Sequence, residues 1–173
     1  LQIKKDSIVV EEGITKKFYN DYSLFKRELF RDLVKLNVKN PVFRFELEKE
    51  DTERANKNIK LRLFKKSQKL IDRFLFIFFA EDRGLLPPNS TLKILENWNQ
   101  LKDLDVEIPL YDRFKLYFKY LDTGRAGTDK KAEIFAYNGG LFKEDTLLDS
   151  LQIDSELLYK YTKQLAGYDF ESQ

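Results

Sequence analysis

Basic side chains cluster in the middle of the sequence, where they could contact phosphate groups. Four of them share one side of a predicted helix: Arg62, Lys65, Lys66 and Lys69. Lysine and arginine on one helix face can displace the condensed counterions of a nucleic-acid duplex. We therefore predict that these four residues contact the DNA backbone, with two weaker candidates: Lys57 and Lys60. An ordinary solvated helix face is the alternative interpretation.

Two acidic residues, Glu81 and Asp82, end an apolar run and are followed by Arg83 and Gly84. The helix macrodipole disfavours carboxylates at a helix C-terminus, so both acids need donors. Arg73, Arg83 or a backbone donor elsewhere could supply them, and the segment would then lock the helix to the next turn. The alternative interpretation is a catalytic or metal-binding acid pair, which would need further acids in a cleft.

Asn138, Gly139 and Gly140 form a strong tight-turn signal. A glycine pair of this kind could be taken for the turn that cradles S-adenosylmethionine, but only 33 residues follow Gly140. That length is too short for a methyltransferase sheet. We therefore assign these three residues, like Glu81 to Gly84, a structural role.

Two further segments match catalytic motifs only in part. Residues 40–43 read Asn-Pro-Val-Phe and lack the second proline of the loop with which adenine methyltransferases hold their target amine. Residues 129–131 read Asp-Lys-Lys and lack the upstream acid on a strand that a restriction-nuclease core requires. We treat both as chance matches.

Composition excludes most catalytic designs. The 173 residues contain no cysteine and no histidine, which removes disulfides, thiolate chemistry and imidazole bases or ligands. A net charge of +2 means that any nucleic-acid contact must come from local clustering. The absence of methionine leads us to expect a fragment of a longer chain. Without a signal peptide or an apolar run near roughly 18 residues, we expect a cytoplasmic protein with no membrane partner.

Apolar periodicity predicts the elements that position these residues. Spacings of three and four predict helices over 15–36, 58–83, 91–100, 110–121, 146–151 and 155–166. We expect a mainly α fold, a multi-helix bundle around a central buried helix at about 58–83, with at most a short hairpin or edge strand. Residues 1–14 are predicted to be an extended lead-in or edge strand, and 15–173 one helical domain. A flexible loop is expected near 49–58.

Three segments resemble a known family in the same order. LIDRFLFIFFAEDRGLLPP (70–88), YNGGLF (137–142) and LAGYDFES (165–172) are similar to tracts that type IIG restriction-modification enzymes and related adenine-specific DNA methyltransferases carry upstream of their catalytic domain. The segment FYNDYSLFKRELFRDL (18–33) is a weaker likeness. Matching order and spacing extend the resemblance over roughly residues 70–173.

The resemblance implies a position and a role. It implies a non-catalytic helical connector, free of cofactor itself, in an enzyme that methylates adenine using S-adenosylmethionine, with Mg²⁺ if a nuclease is present. The implied partners are DNA and the methyltransferase and nuclease domains of the same chain. No catalytic residue of the family is carried over to this sequence. Two alternatives stay open: a purely structural interdomain scaffold, and a protein-interaction module of an unrelated phage-defence protein.

Overall fold

The computed structural model describes the backbone of residues 2–47, 51–137 and 139–168, and the side chains from Lys16 onward except Glu46. Seven α-helices lie in these ranges: α1 (Gln2–Asn37), α2 (Pro41–Arg44), α3 (Thr52–Asp82), α4 (Ser90–Asp103), α5 (Leu110–Thr123), α6 (Thr146–Asp149) and α7 (Ser155–Ala166). A short 3-10 turn, Phe45–Leu47, follows α2. The predicted mainly α class and helical bundle are confirmed.

The long helices α1 and α3 form an antiparallel pair. Phe25 of α1 packs on Phe74 of α3, and Phe30, further along α1, packs on Phe64, which is earlier in α3. The helix α7 packs against α1, α4 and α5, while α3 contacts α1, α2, α4 and α6. The prediction that α3 is the central helix is therefore confirmed.

The apolar half of α3 lies inside the bundle. Every residue from Phe74 to Ala80 is buried or half-buried, as expected for a helix that is apolar all round. The Phe74 ring is fully buried and lies 4.9 Å from the Phe114 ring and 5.7 Å from the Phe118 ring, measured between centroids. These aromatic contacts join α3 to α5 at the centre of the core.

The helix α3 begins six residues earlier than the sequence predicted. Asp51 is its N-cap, and its carboxylate accepts a hydrogen bond from the Arg54 amide at 2.9 Å. The loop predicted near 49–58 is therefore wrong over 52–58, because this cap outweighs the polar composition. Residues 48–50 lie outside the described residues. At the other end, Gly84 has a φ of +75°, which agrees with its predicted position just past the helix.

The edge strand or lead-in predicted for residues 1–14 is wrong from Gln2 onward, because α1 begins there. The helix predicted over 15–36 accordingly begins thirteen residues earlier than expected. The β-branched residues at 8–10, Ile-Val-Val, favour a strand only weakly. Extending an existing helix adds one hydrogen bond per residue, which favours the helix. Leu1 lies outside the described residues.

Little β-structure is present in the described part of the chain. Arg125 and Ile134 form one isolated antiparallel bridge, with hydrogen bonds of 2.8 and 2.9 Å. Asn138, the first residue of the predicted tight turn, lies outside the described residues. None of the helices found in the described ranges is long and apolar enough to cross a membrane.

Candidate nucleic-acid interface

The first half of α3 is the most basic part of the molecule. From residue 54 to residue 71 it contains no acidic side chain and seven basic ones: Arg54, Lys57, Lys60, Arg62, Lys65, Lys66 and Lys69. Lys57, Lys60 and Lys65 are exposed, whereas Arg62, Lys66 and Lys69 are half-buried. A protein of net charge +2 thus concentrates positive charge on one helix.

These basic residues lie on both sides of the buried stripe of α3. A helix advances about 100° per residue, which places Arg62, Lys66 and Lys69 on one flank of that stripe. Lys57 and Lys60 fall on the opposite flank. The four predicted contacts, Arg62, Lys65, Lys66 and Lys69, thus fall within about 100° of one another around the helix, with Lys65 furthest toward solvent.

Asp145 holds two of the predicted DNA contacts. One carboxylate oxygen lies 2.7 Å from the Lys66 Nζ and 2.9 Å from the Lys69 Nζ. The other accepts a hydrogen bond from the Leu148 amide at 3.0 Å, which makes Asp145 the N-cap of α6. Burial alone would raise the pKa of Asp145, but the Leu148 amide and the two ammonium groups hold it well below its usual range.

Arg73 joins two segments that the sequence singled out separately. It exposes only 1% of its surface, and its guanidinium donates to the Leu141 carbonyl and the Lys143 carbonyl, both at 2.9 Å. The same guanidinium lies over the rings of Phe118 and Phe142, at 5.1 and 5.6 Å. Burial lowers the pKa of Arg73. Arg73 therefore binds backbone oxygens and not the Glu81 carboxylate that the sequence suggested.

Tyr137 makes a second set of contacts with the segment 70–88. The Tyr137 hydroxyl donates to the Leu85 carbonyl at 2.8 Å, and the Tyr137 ring packs edge-on against Phe76. Gly140 has a φ of +83°, which favours glycine. With these contacts the segments 70–88 and 137–142 form one packed unit in which Gly139 and Gly140 provide the turn.

Glu81 links α3 to α4. One carboxylate oxygen accepts from the Thr91 amide at 2.8 Å and from the Thr91 hydroxyl at 3.0 Å, and also from the Ser90 hydroxyl. Asn89, at the N-cap position of α4 with a φ of 58°, makes no capping bond, so Glu81 performs that role from a neighbouring helix. Burial raises the pKa of Glu81 against the opposing effect of these donors.

The two other members of the acidic segment are on the surface. Asp82 and Arg83 are exposed, and the Arg83 guanidinium lies 5.9 Å from the centre of the Phe79 ring. The helix α3 ends at Asp82, at the surface of the bundle. Glu81 reaches the neighbouring helix through the contacts described above.

Replacing Glu81 with alanine is expected to lower the free energy of unfolding by about 1–2 kcal/mol, the usual cost of losing a helix cap. Amide hydrogen exchange should accelerate at Thr91, because its amide loses its acceptor. Glu96→Ala, an exposed change on the same helix, serves as the control. Equal exchange rates at the start of α4 in both variants would contradict the capping role.

The two segments that match catalytic motifs in part, 40–43 and 129–131, lie in a helix cap and in a surface loop. The Asn40 side chain accepts from the Val42 amide at 3.0 Å and donates to the Ser150 carbonyl at 3.0 Å, which ties α2 to the end of α6. Lys130 and Lys131 are exposed in the loop that the Arg125–Ile134 bridge closes. Among the described side chains, no group of three or more potential metal ligands is placed to hold an ion.

Comparison with known proteins adds no assignment. No protein-family model, curated protein or solved structure matches the chain. What can be said of function therefore depends on the residues and on the geometry described above.

Proposed function

We propose that the chain is a non-catalytic helical connector that contacts the DNA backbone through the basic half of α3. The parent that we propose is a cytoplasmic type IIG-like restriction-modification enzyme that methylates adenine using S-adenosylmethionine. The observation that carries the DNA contact is the run of 18 residues in α3 with seven basic side chains and no acidic one. Such local density is what a polyanion selects, whatever the net charge of the whole chain.

The positive charge of Lys66 and Lys69 on α3 is only partly neutralised by the carboxylate that they contact. Asp145 contributes one negative charge against the two ammonium groups that it contacts. Lys57, Lys60 and Lys65 extend into solvent over about 12 Å along the helix axis at 1.5 Å per residue. That span is close to the width of the DNA major groove, about 12 Å, so the three lysines could reach phosphates on both sides of it.

The rival within the same parent is an interdomain scaffold whose basic surface meets acidic groups of a neighbouring domain. Both interpretations require exposed lysines, but only the first predicts DNA binding by the chain alone. A protein-interaction module of an unrelated phage-defence protein likewise predicts none. Binding of the isolated chain to DNA therefore separates the proposal from both alternatives.

The test is the salt dependence of binding to a fluorescent duplex, measured by anisotropy from about 50 to 200 mM salt. The triple variant Lys57→Gln, Lys60→Gln, Lys65→Gln should flatten the slope of log K against log salt by about two to three units. The reason is that each lost phosphate contact removes about 0.9 of a unit. These are exposed side chains, so the fold should change little.

The matched control removes three exposed lysines elsewhere: Lys93, Lys130 and Lys131. It lowers the net charge by the same amount and should leave the slope nearly unchanged. Equal effects of the two triple variants would mean that only net charge matters. Absence of any binding by the unaltered chain would contradict the proposal and leave the scaffold and the protein-interaction module as the alternatives.

A further inference from the structure

A cleft of about 510 Å³ opens beside the junction that Arg73 organises. Its walls come from α5, from the segment after Gly140 and from the end of α6, and Arg73 of α3 lines it. This volume lies within the range of about 300–1,000 Å³ that is usual for small-molecule sites. The cleft is separate from the exposed lysines Lys57, Lys60 and Lys65.

Arg73 brings an unpaired charge to this cleft. Its Nε and Nη2 donate to the Leu141 and Lys143 carbonyls, but its Nη1 donates to no group in the described part of the chain. No carboxylate of the described residues lies within 4.0 Å of the guanidinium. The direct contacts of this nearly buried cation are therefore neutral, and the carboxylates of Asp122, Asp145 and Asp149 stabilise its charge only from a greater distance. The unused Nη1 donor therefore makes the part of the cleft beside Arg73 a place for an anion.

Three lysines add donors to the cleft. Lys119 and Lys143 are exposed, whereas Lys115 is half-buried and already donates to the Asp149 carbonyl at 3.1 Å and pairs with Asp112 at 3.2 Å. Three acidic side chains also line the cleft: Asp122, Glu144 and Asp149. The site is therefore not a general basic surface, and its preference for an anion comes from the donors around Arg73.

We propose that this cleft binds a phosphate group, held by the Nη1 of Arg73 and by the ammonium groups of Lys119 and Lys143. A guanidinium and two ammonium groups from separate elements suit a tetrahedral oxyanion, which offers several oxygens in different directions. The inference goes beyond the proposed function, because a discrete site can be occupied whether or not the α3 lysines contact DNA.

Two sources could supply the phosphate. Arg73 continues the flank of α3 that carries Arg62, Lys66 and Lys69, about 6 Å beyond Lys69 at 1.5 Å per residue. A phosphate of a DNA strand that follows this flank could therefore enter the cleft. A small phosphate ester could occupy it as well, with its organic part beside Leu116, which is exposed at the cleft wall.

The experiment follows the Nε–H resonance of Arg73 by NMR in the 173-residue chain, at constant ionic strength. Inorganic phosphate is titrated in one arm and a short DNA duplex in the other. The expected result is a saturable shift of this resonance. The double variant Lys119→Gln, Lys143→Gln should weaken phosphate binding about tenfold or more, since it removes two charge-assisted contacts. Both positions are exposed, so this variant should keep the fold.

The matched control is Lys130→Gln, Lys131→Gln, which removes the same charge from a loop outside the cleft and should change the affinity less than twofold. A duplex that shifts the resonance and competes with phosphate identifies the DNA backbone as the source. Phosphate binding without competition identifies a small phosphate compound, and both results support the site. An unshifted Arg73 resonance in both arms, or equal affinities of the two variants, overturns it.

The outcome is distinguishable from failure of the proposed function. The Lys57, Lys60 and Lys65 triple variant should leave the inorganic phosphate titration unchanged, because those side chains do not line the cleft. Loss of DNA binding in that variant together with an intact phosphate site would place the two properties on different surfaces of the same helix.

Discussion

Replacing Phe74 with alanine should lower the free energy of unfolding by about 4 kcal/mol, within the range measured for buried Phe→Ala changes. Phe74 is fully buried, and its ring contacts Phe25 of α1 as well as Phe114 and Phe118 of α5. The truncation would remove contacts to two helices at once and leave a cavity that α3 cannot close by moving toward either. Urea denaturation followed by circular dichroism measures the loss.

Phe135→Ala is the control, because it deletes the same atoms from a side chain that is 69% exposed. Its expected effect is below about 0.5 kcal/mol, as is usual for surface changes. If Phe74→Ala cost no more than this control, the aromatic cluster would not be the centre of the core.

Replacing Asp145 with asparagine should destabilise the fold at neutral pH by about 2–4 kcal/mol. The change removes charge-assisted hydrogen bonds from Lys66 and Lys69, each in the class that contributes about 1.5–3 kcal/mol before solvent screening. Both lysines are partly exposed, so solvent screening should keep the loss of stability below the sum of the two separate hydrogen-bond contributions. Thermal and urea unfolding at pH 7 measure the difference between the variant and the unaltered chain.

The destabilisation caused by Asp145→Asn should depend on pH. The folded-state pKa of Asp145 is depressed, so its contribution is complete above the pKa of an unfolded aspartate, about 4, and falls as the pH drops toward the folded value. The stability gap between the unaltered chain and Asp145→Asn should therefore narrow below about pH 4, by roughly 1.4 kcal/mol per pH unit. Asp129→Asn, in an exposed loop, should show no such narrowing.

Periodicity in the sequence was sufficient to predict most of the helices. Phe114, Phe118 and Leu121 recur on one face, and the structure buries all three in α5. Gly84 likewise indicated the end of α3, because a positive φ favours glycine. These features depend on neighbours within a few residues, which is the range over which a sequence pattern carries structural information.

The contacts that define the site depend instead on distant residues. Asp145 lies 79 residues from Lys66 and 76 from Lys69 along the chain, so no local pattern could pair them. Arg73 is similar, since its two carbonyl acceptors lie 68 and 70 residues away. The sequence identified its segment but not its bonds.

The start of α3 shows where composition was misleading. The stretch 52–58 is polar and was predicted to be a loop, yet a capping aspartate and tertiary contacts of Ala55 make it helical. Residues 2–14 were misassigned for a related reason, because β-branched residues outweighed the possibility that α1 simply continues. In the first case a capping side chain sets the boundary, and in the second the helix α1 itself continues back to Gln2.

The unbroken length of α3 has a mechanical consequence. Its 31 residues form a rod of about 46 Å at 1.5 Å per residue. The exposed lysines occupy one half of this rod, while Arg73, Phe74 and Glu81 anchor the other half to three separate parts of the bundle. No loop between the halves could absorb a displacement. A displacement of the lysine end would therefore also move the residues of α3 that contact α4 and line the cleft.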